Sequence, residues 1–143
     1  MKKPAEDESV TGTGKVLIMD DEELVRDSLG QMLINIGYAV EYACDGQEAV
    51  DIYKNAMASD HRFDAVIMDL TIPGGMGGKE AVRELIKIDP NVKAIVSSGY
   101  SNDPIMSNYT DYGFSAVLAK PYKDISTLSL ILNNVIKSED SQL

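Results

Sequence analysis

The chain of 143 residues has a single cysteine, Cys44. One thiol closes no internal disulfide and builds no cysteine-based zinc site, so a stapled secreted scaffold and a zinc ribbon are both excluded. A reducing cytoplasm is the expected compartment. No apolar run approaches the roughly 18 residues that span a bilayer, and Met1 to Ser9 is polar where a signal peptide is apolar. Basic residues are also scarce: 13 Lys and Arg stand against 23 Asp and Glu, a formal net charge of −10. Such a surface repels a phosphate backbone, so nucleic acid is not expected as a partner, and the lack of a spanning run gives no expectation of membrane insertion.

What is present is ordinary globular composition, 44% apolar and 25% charged, in a length that fits one domain with a core of its own. Residues 1–14 (MKKPAEDESVTGTG) carry almost nothing that could enter a core and are expected to be a flexible linker; residues 138–143 are expected to be a polar tail. Between them, residues 15–137 repeat one pattern. The run KVLIM ends abruptly in Asp20-Asp21-Glu22-Glu23, after which Leu24, Val25, Leu29, Met32, Leu33 and Ile36 recur at helical spacing before Gly37. AVEYA at 39–43 and AVIM at 65–68 each lead into a further helix, and KAIVS at 93–97 and AVLA at 116–119 supply two more strands. A fourth helix between Pro104 and Gly113 is weakened by Ser107, Asn108, Thr110 and Asp111. The last helix is capped by Asp124 and lined by Ile125, Leu128, Ile131, Leu132, Val135 and Ile136.

Several strands are continuous β-branched runs without alternation, which suggests burial on both faces, as in a parallel sheet. Five βα units in succession predict a doubly wound five-stranded parallel α/β domain, (βα)5 and flavodoxin-like, with strand order 2-1-3-4-5. Ligands of such folds sit at the carboxyl ends of the strands. There the sequence places Asp20-Asp21 after the first strand, Asp69 at the end of the third, Ser98-Gly99 at the end of the fourth and Lys120-Pro121 after the fifth. Two carboxylates about 4 Å apart repel by roughly 4 kcal/mol even at an effective dielectric near 20, so this cluster calls for a cation. All-oxygen ligands in an open crevice suit Mg²⁺, which keeps several waters and accepts phosphate. A carboxylate can attack phosphorus to form an acyl phosphate, and an ammonium and a hydroxyl can stabilise the equatorial oxygens. Phosphoryl transfer onto Asp69 is the reaction these residue types imply.

The stretches VLIMDDEE, VIMDLTIPGGMGGKE, AIVSSGYS and LAKPY, in this order and spacing, make residues 15–137 resemble a receiver (response regulator) domain of two-component signalling. The resemblance implies that Asp69 is the phosphoacceptor for a phosphohistidine on a sensor histidine kinase or histidine phosphotransfer domain. It implies that Asp20, Asp21, Asp69 and the main-chain carbonyl of Thr71 organise Mg²⁺, and that Ser98 and Lys120 meet the phosphoryl oxygens. It leaves room for a homodimer on phosphorylation. The wording of PGGMGGKE, VSSGYSNDP and AKPY is similar to receivers at the C-terminal end of hybrid sensor histidine kinases; a single-domain response regulator would read the same. Many receivers carry an aromatic residue three positions before the lysine that swings inward on phosphorylation. Here that position is Val117, and Tyr100, two after Ser98, is the aromatic switch candidate beside Ser98 itself. The acceptor loop also carries one more glycine, in Gly74-Gly75, than the common receiver loop.

Two other function classes fit these residues less well. A Mg²⁺-dependent phosphohydrolase of the haloacid-dehalogenase type needs a second acid two residues after its nucleophile, and Thr71 stands there. A degenerate receiver serving only as an interaction or dimerisation module would not need every pocket residue. Glycines 74, 75, 77 and 78 complete no phosphate-binding motif and read as a flexible loop. His61 reads as an exposed residue, and Cys44 and the seven methionines read as packing residues.

Overall fold

In the computed structural model, residues 14–99, 103–122 and 124–141 are described, the side chains of 138–141 excepted. Five short strands alternate with helices along the chain. These are β1 (Lys15–Met19), α1 (Glu23–Ile36), β2 (Ala39–Ala43), α2 (Gly46–Met57), β3 (Ala65–Asp69), α3 (Gly78–Ile88) and β4 (Ala94–Ser98). There follow a single-turn α4 (Pro104–Ser107), a 3-10 turn (Tyr109–Tyr112), β5 (Ala116–Ala119) and α5 (Ile125–Ser141). All strand pairs are parallel and the order is β2-β1-β3-β4-β5, as the βα repeat predicts.

β3 and β4 are buried along their whole length, because helices cover both faces of the sheet. Side chains alternate between two cores. Leu17, Met19, Val66, Met68 and Val96 point into one with α2 and α3, whereas Val16, Ile18, Ile67, Ile95 and Leu118 point into the other with Leu29, Leu33, Leu128 and Leu132. Edge strand β2 alternates in exposure instead, with Glu41 in solvent. Helix boundaries follow local chemistry. The Asp45 carboxylate caps α2 by accepting the Glu48 amide at 2.9 Å, and Asp124 caps α5 by accepting the Thr127 amide at 2.7 Å. Gly37, at φ 126°, ends α1 in a conformation that a side chain would strain, and its amide reaches the Leu33 and Ile34 carbonyls.

Four sequence expectations are corrected here. Leu24, counted on the apolar stripe of the first helix, is 84% exposed: it lies in the first turn, ahead of where α1 meets the sheet, and Leu29, Leu33 and Ile36 carry the packing. The fourth helix shrinks to one turn plus a 3-10 turn, the outcome its polar Ser107, Asn108 and Thr110 favour. The last helix continues through Ser141, past the expected start of the tail at residue 138. Gly14, placed in the linker, is held by the domain, its carbonyl accepting the Ala39 amide at 2.9 Å; residues 1–13 lie outside the described residues.

Candidate functional site

Strand register brings the candidate residues to one end of the sheet. Met19 of β1 pairs with Met68 of β3, Asp69 with Ser97 of β4, and Ser98 with Ala119 of β5, so Asp20, Asp69, Ser98 and Lys120 leave their strands side by side. Asp69 is the last residue of β3, the strand end at which the sequence places it. Three of the four side chains are nearly closed off from solvent, Asp20, Asp69 and Ser98 being 2%, 8% and 4% exposed.

The local backbone fixes each acid. The Asp20 amide donates to the Ala43 carbonyl at 3.0 Å, which extends the β1–β2 ladder by one rung, and its carboxylate accepts the Glu22 amide at 2.9 Å. Arg26, one turn into α1, donates to the Asp20 carbonyl at 2.9 Å. Asp21, next in sequence, turns outward and is exposed. The Thr71 amide donates to the Asp69 carboxylate. Lys120 donates its main-chain amide to the Ser98 carbonyl at 2.9 Å, and its Nζ lies 2.8 Å from Asp20 Oδ2 and 3.3 Å from Asp69 Oδ2. The Lys120–Pro121 peptide is cis.

One ammonium therefore serves two buried carboxylates, and the protonation equilibria register the imbalance. Burial and the neighbouring Asp20 charge push the Asp69 carboxyl up to about 6, and Lys120 and the Thr71 amide only partly offset them. Burial works to lower the Lys120 ammonium, but the two aspartates outweigh it and raise its pKa. Carboxylate oxygens of Asp20, Asp21 and Asp69 lie within 4.8 Å of one another, an all-oxygen set that fits a hard divalent cation. Asp21, Asp69, Thr71, Ser98 and Lys120 also line a common open cleft of about 440 Å³, together with Glu22, Pro73 and Gly99.

The glycine-rich loop after β3 is not the slack segment its composition suggests. The Gly78 amide donates to the Leu70 carbonyl at 3.2 Å, Gly75 to Ile72 at 3.1 Å, and the Met76 carbonyl accepts the Gly46 amide at 2.7 Å. A Cβ on Gly77 would collide with the Leu70 carbonyl oxygen, and one on Gly78 would come within 2.9 Å of the Asp69 carbonyl oxygen. These glycines let the loop pack against the acceptor strand. His61 is exposed, as expected. Cys44, expected in the packing, is exposed instead, its thiol hydrogen-bonded to Glu48 Oε1 at 3.0 Å. Val117 is half-buried on the first core. Tyr100 lies outside the described residues. Sequence reasoning missed Tyr122, whose hydroxyl lies 2.6 Å from Ser97 Oγ. The only signal for it was its place two residues after the lysine.

The comparisons agree with this geometry. Residues 16–132 match the family model described as the response regulator receiver domain. The chain is 36% identical over 124 residues to the chemotaxis protein CheY of Thermotoga maritima, covering 86% of this chain and 98% of that one. It is 30% identical over 139 residues to the sensor kinase CckA of Brucella abortus, covering 97% of this chain but 14% of that protein. Among solved structures, the receiver domain of a sensor histidine kinase from Pseudomonas aeruginosa, with a magnesium ion in its active-site cleft, superposes with a TM-score of 0.75 at 27% identity, covering 87% of this chain and 98% of that one. From the shared fold, the matched length and the acidic strand ends together, the chain belongs to the response regulator receiver domain family of two-component systems.

Proposed function

We propose that Asp69 accepts a phosphoryl group from a phosphohistidine on a sensor histidine kinase or histidine phosphotransfer domain, with Mg²⁺ as cofactor, and that the phosphorylated domain presents an altered surface. The observation that carries this reading is the Asp69 carboxylate, 8% exposed at the end of β3, with Lys120 Nζ 3.3 Å away and two further aspartates within metal-binding reach. Asp20, Asp21, Asp69 and the Thr71 carbonyl would hold the ion. Bound there, Mg²⁺ supplies positive charge that draws phosphoryl oxygens to the cleft and offsets the crowded carboxylates.

This chain's residues do the rest. An Asp69 carboxylate oxygen forms the new O–P bond while the P–N bond to the donor imidazole breaks and its electron pair returns to the ring nitrogen. The Lys120 ammonium and Ser98 hydroxyl stabilise the equatorial oxygens as negative charge spreads over them. In the reverse-fate step, water attacks phosphorus, the O–P bond breaks, and the Asp69 carboxylate and inorganic phosphate are released. The chemistry is performed on the domain itself, which is why it is read as a phosphoacceptor rather than a turnover enzyme.

The extent of the match to a sensor kinase, 97% of this chain, supports a hybrid-kinase receiver, and the near-complete coverage of CheY supports a single-domain regulator equally. The exposed thiol of Cys44 suits a reducing cytoplasm. Among the described residues no helix is long and apolar enough to cross a membrane. The proposal is tested by intact-protein mass after incubation with a small acyl phosphate donor and Mg²⁺, beside Asp69→Asn and a chelator control. A single phosphoryl adduct that needs both Asp69 and the metal is expected. The absence of an adduct under every condition would leave the domain an interaction module.

A further inference from the structure

Lys120 works only if its ammonium is held between Asp20 and Asp69, and a lysine side chain does not hold itself. Its main chain is fastened by a hydrogen bond from its amide to the Ser98 carbonyl at 2.9 Å. Two residues later the Tyr122 hydroxyl meets Ser97 Oγ at 2.6 Å, and either hydroxyl can donate. Ser97 is 1% exposed. By strand alternation it shares the face of Ile95, the core against which the Tyr122 ring packs. Among the described residues the partner of that hydroxyl is Tyr122. Two consecutive β4 residues thus grip the chain at the lysine and two residues beyond it, one through its carbonyl and one through its side chain.

We propose that the Tyr122 hydroxyl is a positioning group for phosphoryl transfer: through Ser97 it fixes the segment after β5 so that the Lys120 ammonium stays on the Asp20–Asp69 pair. The inference rests on the phosphoacceptor reading of Asp69. It concerns Tyr122 and Ser97 acting through Lys120, not contact with the phosphoryl group. A purely structural role, in which the pair only satisfies two buried hydroxyls, is the competing account.

Tyr122→Phe keeps the packed ring and removes the hydroxyl, and Ser97→Ala removes the other half. Each slows formation of the Asp69 adduct by about fivefold, the loss expected when one aligning hydrogen bond goes, and the double variant is no slower than either single one. In a Lys120→Ala background, Tyr122→Phe has no further effect on the rate. Slowing of equal size with and without the lysine would overturn the proposal in favour of the structural role. A second measurement does not depend on phosphorylation: proton exchange of the Lys120 ammonium, followed by NMR in the unmodified protein, is faster in Tyr122→Phe. Unchanged exchange would overturn the proposal. Should the unsubstituted protein take up no phosphoryl group, the phosphoacceptor reading fails, while the ammonium measurement still decides this one.

Discussion

At the amino ends of the strands, Lys15 Nζ lies 3.0 Å from Glu41 Oε2, donates to the His61 carbonyl at 3.0 Å and sits 4.5 Å from the centre of the Phe63 ring. Nearby, the Tyr53 hydroxyl donates to Asp89 Oδ2 at 2.7 Å, an arrangement in which burial first and the adjacent carboxylate second push the phenol well above its usual range. At the carboxyl ends, by contrast, Asp20 and Asp69 compete for one ammonium. At the amino end one ammonium pairs with one carboxylate and one phenol with another, so that end is a clamp. The carboxyl end keeps a surplus carboxylate in a cleft, an arrangement that costs stability and is relieved by a cation.

If that contrast is right, substitutions at the two ends separate activity from stability. Among variants that keep the acceptor, Lys120→Ala should have the largest effect, slowing Asp69 phosphorylation by roughly 100-fold, because the site loses its only described cation beside Asp69; adduct formation followed by intact mass reads it. Next comes Asp69→Asn. The folded Asp69 carboxyl titrates near 6, against an ordinary value of 3.8. Its folded state therefore binds the proton more tightly than the unfolded state, and the group destabilises the fold increasingly as pH rises between those values. The substitution should raise metal-free stability by about 2 kcal/mol near neutral pH and by little below the ordinary carboxylate range, measured by urea unfolding at both pH values. Mg²⁺ should stabilise the unsubstituted protein and have a much smaller effect on the variant.

At the opposite end the signs reverse. Tyr53→Phe removes the donor to Asp89 from a side chain that is 4% exposed, so it should lower stability by about 1 kcal/mol and leave the phosphorylation rate unchanged. Lys15→Gln should cost only about 0.5 kcal/mol, because its ion pair with Glu41 is partly solvated. A phosphorylation defect in either variant would break the division between the two ends.

The carboxyl-end half of this contrast was legible in the sequence. The strand-end positions of Asp20, Asp69, Ser98 and Lys120 follow from where the apolar runs stop, since a parallel sheet places those stops together. The parallel, doubly wound sheet follows from the βα repeat. Periodicity failed at Leu24, because a stripe of apolar residues does not say where a helix first touches the sheet. Composition misread the glycine-rich loop, where Gly77 and Gly78 permit close approach of backbones. Cys44 sits one residue before a helix cap, outside both cores, a placement no cysteine count could give. Tyr122 was invisible because its partner, Ser97, is adjacent only through the fold.

The most direct test of the central claim is chemical trapping. The protein is phosphorylated with a small acyl phosphate and Mg²⁺, reduced with borohydride, and mapped by peptide mass spectrometry. An acyl phosphate on Asp69 predicts reduction of that one side chain to homoserine, absent without donor or metal. Reduction at Asp20 or Asp21 instead, or at no residue while the intact mass shows an adduct, would contradict the assignment of Asp69 as the phosphoacceptor.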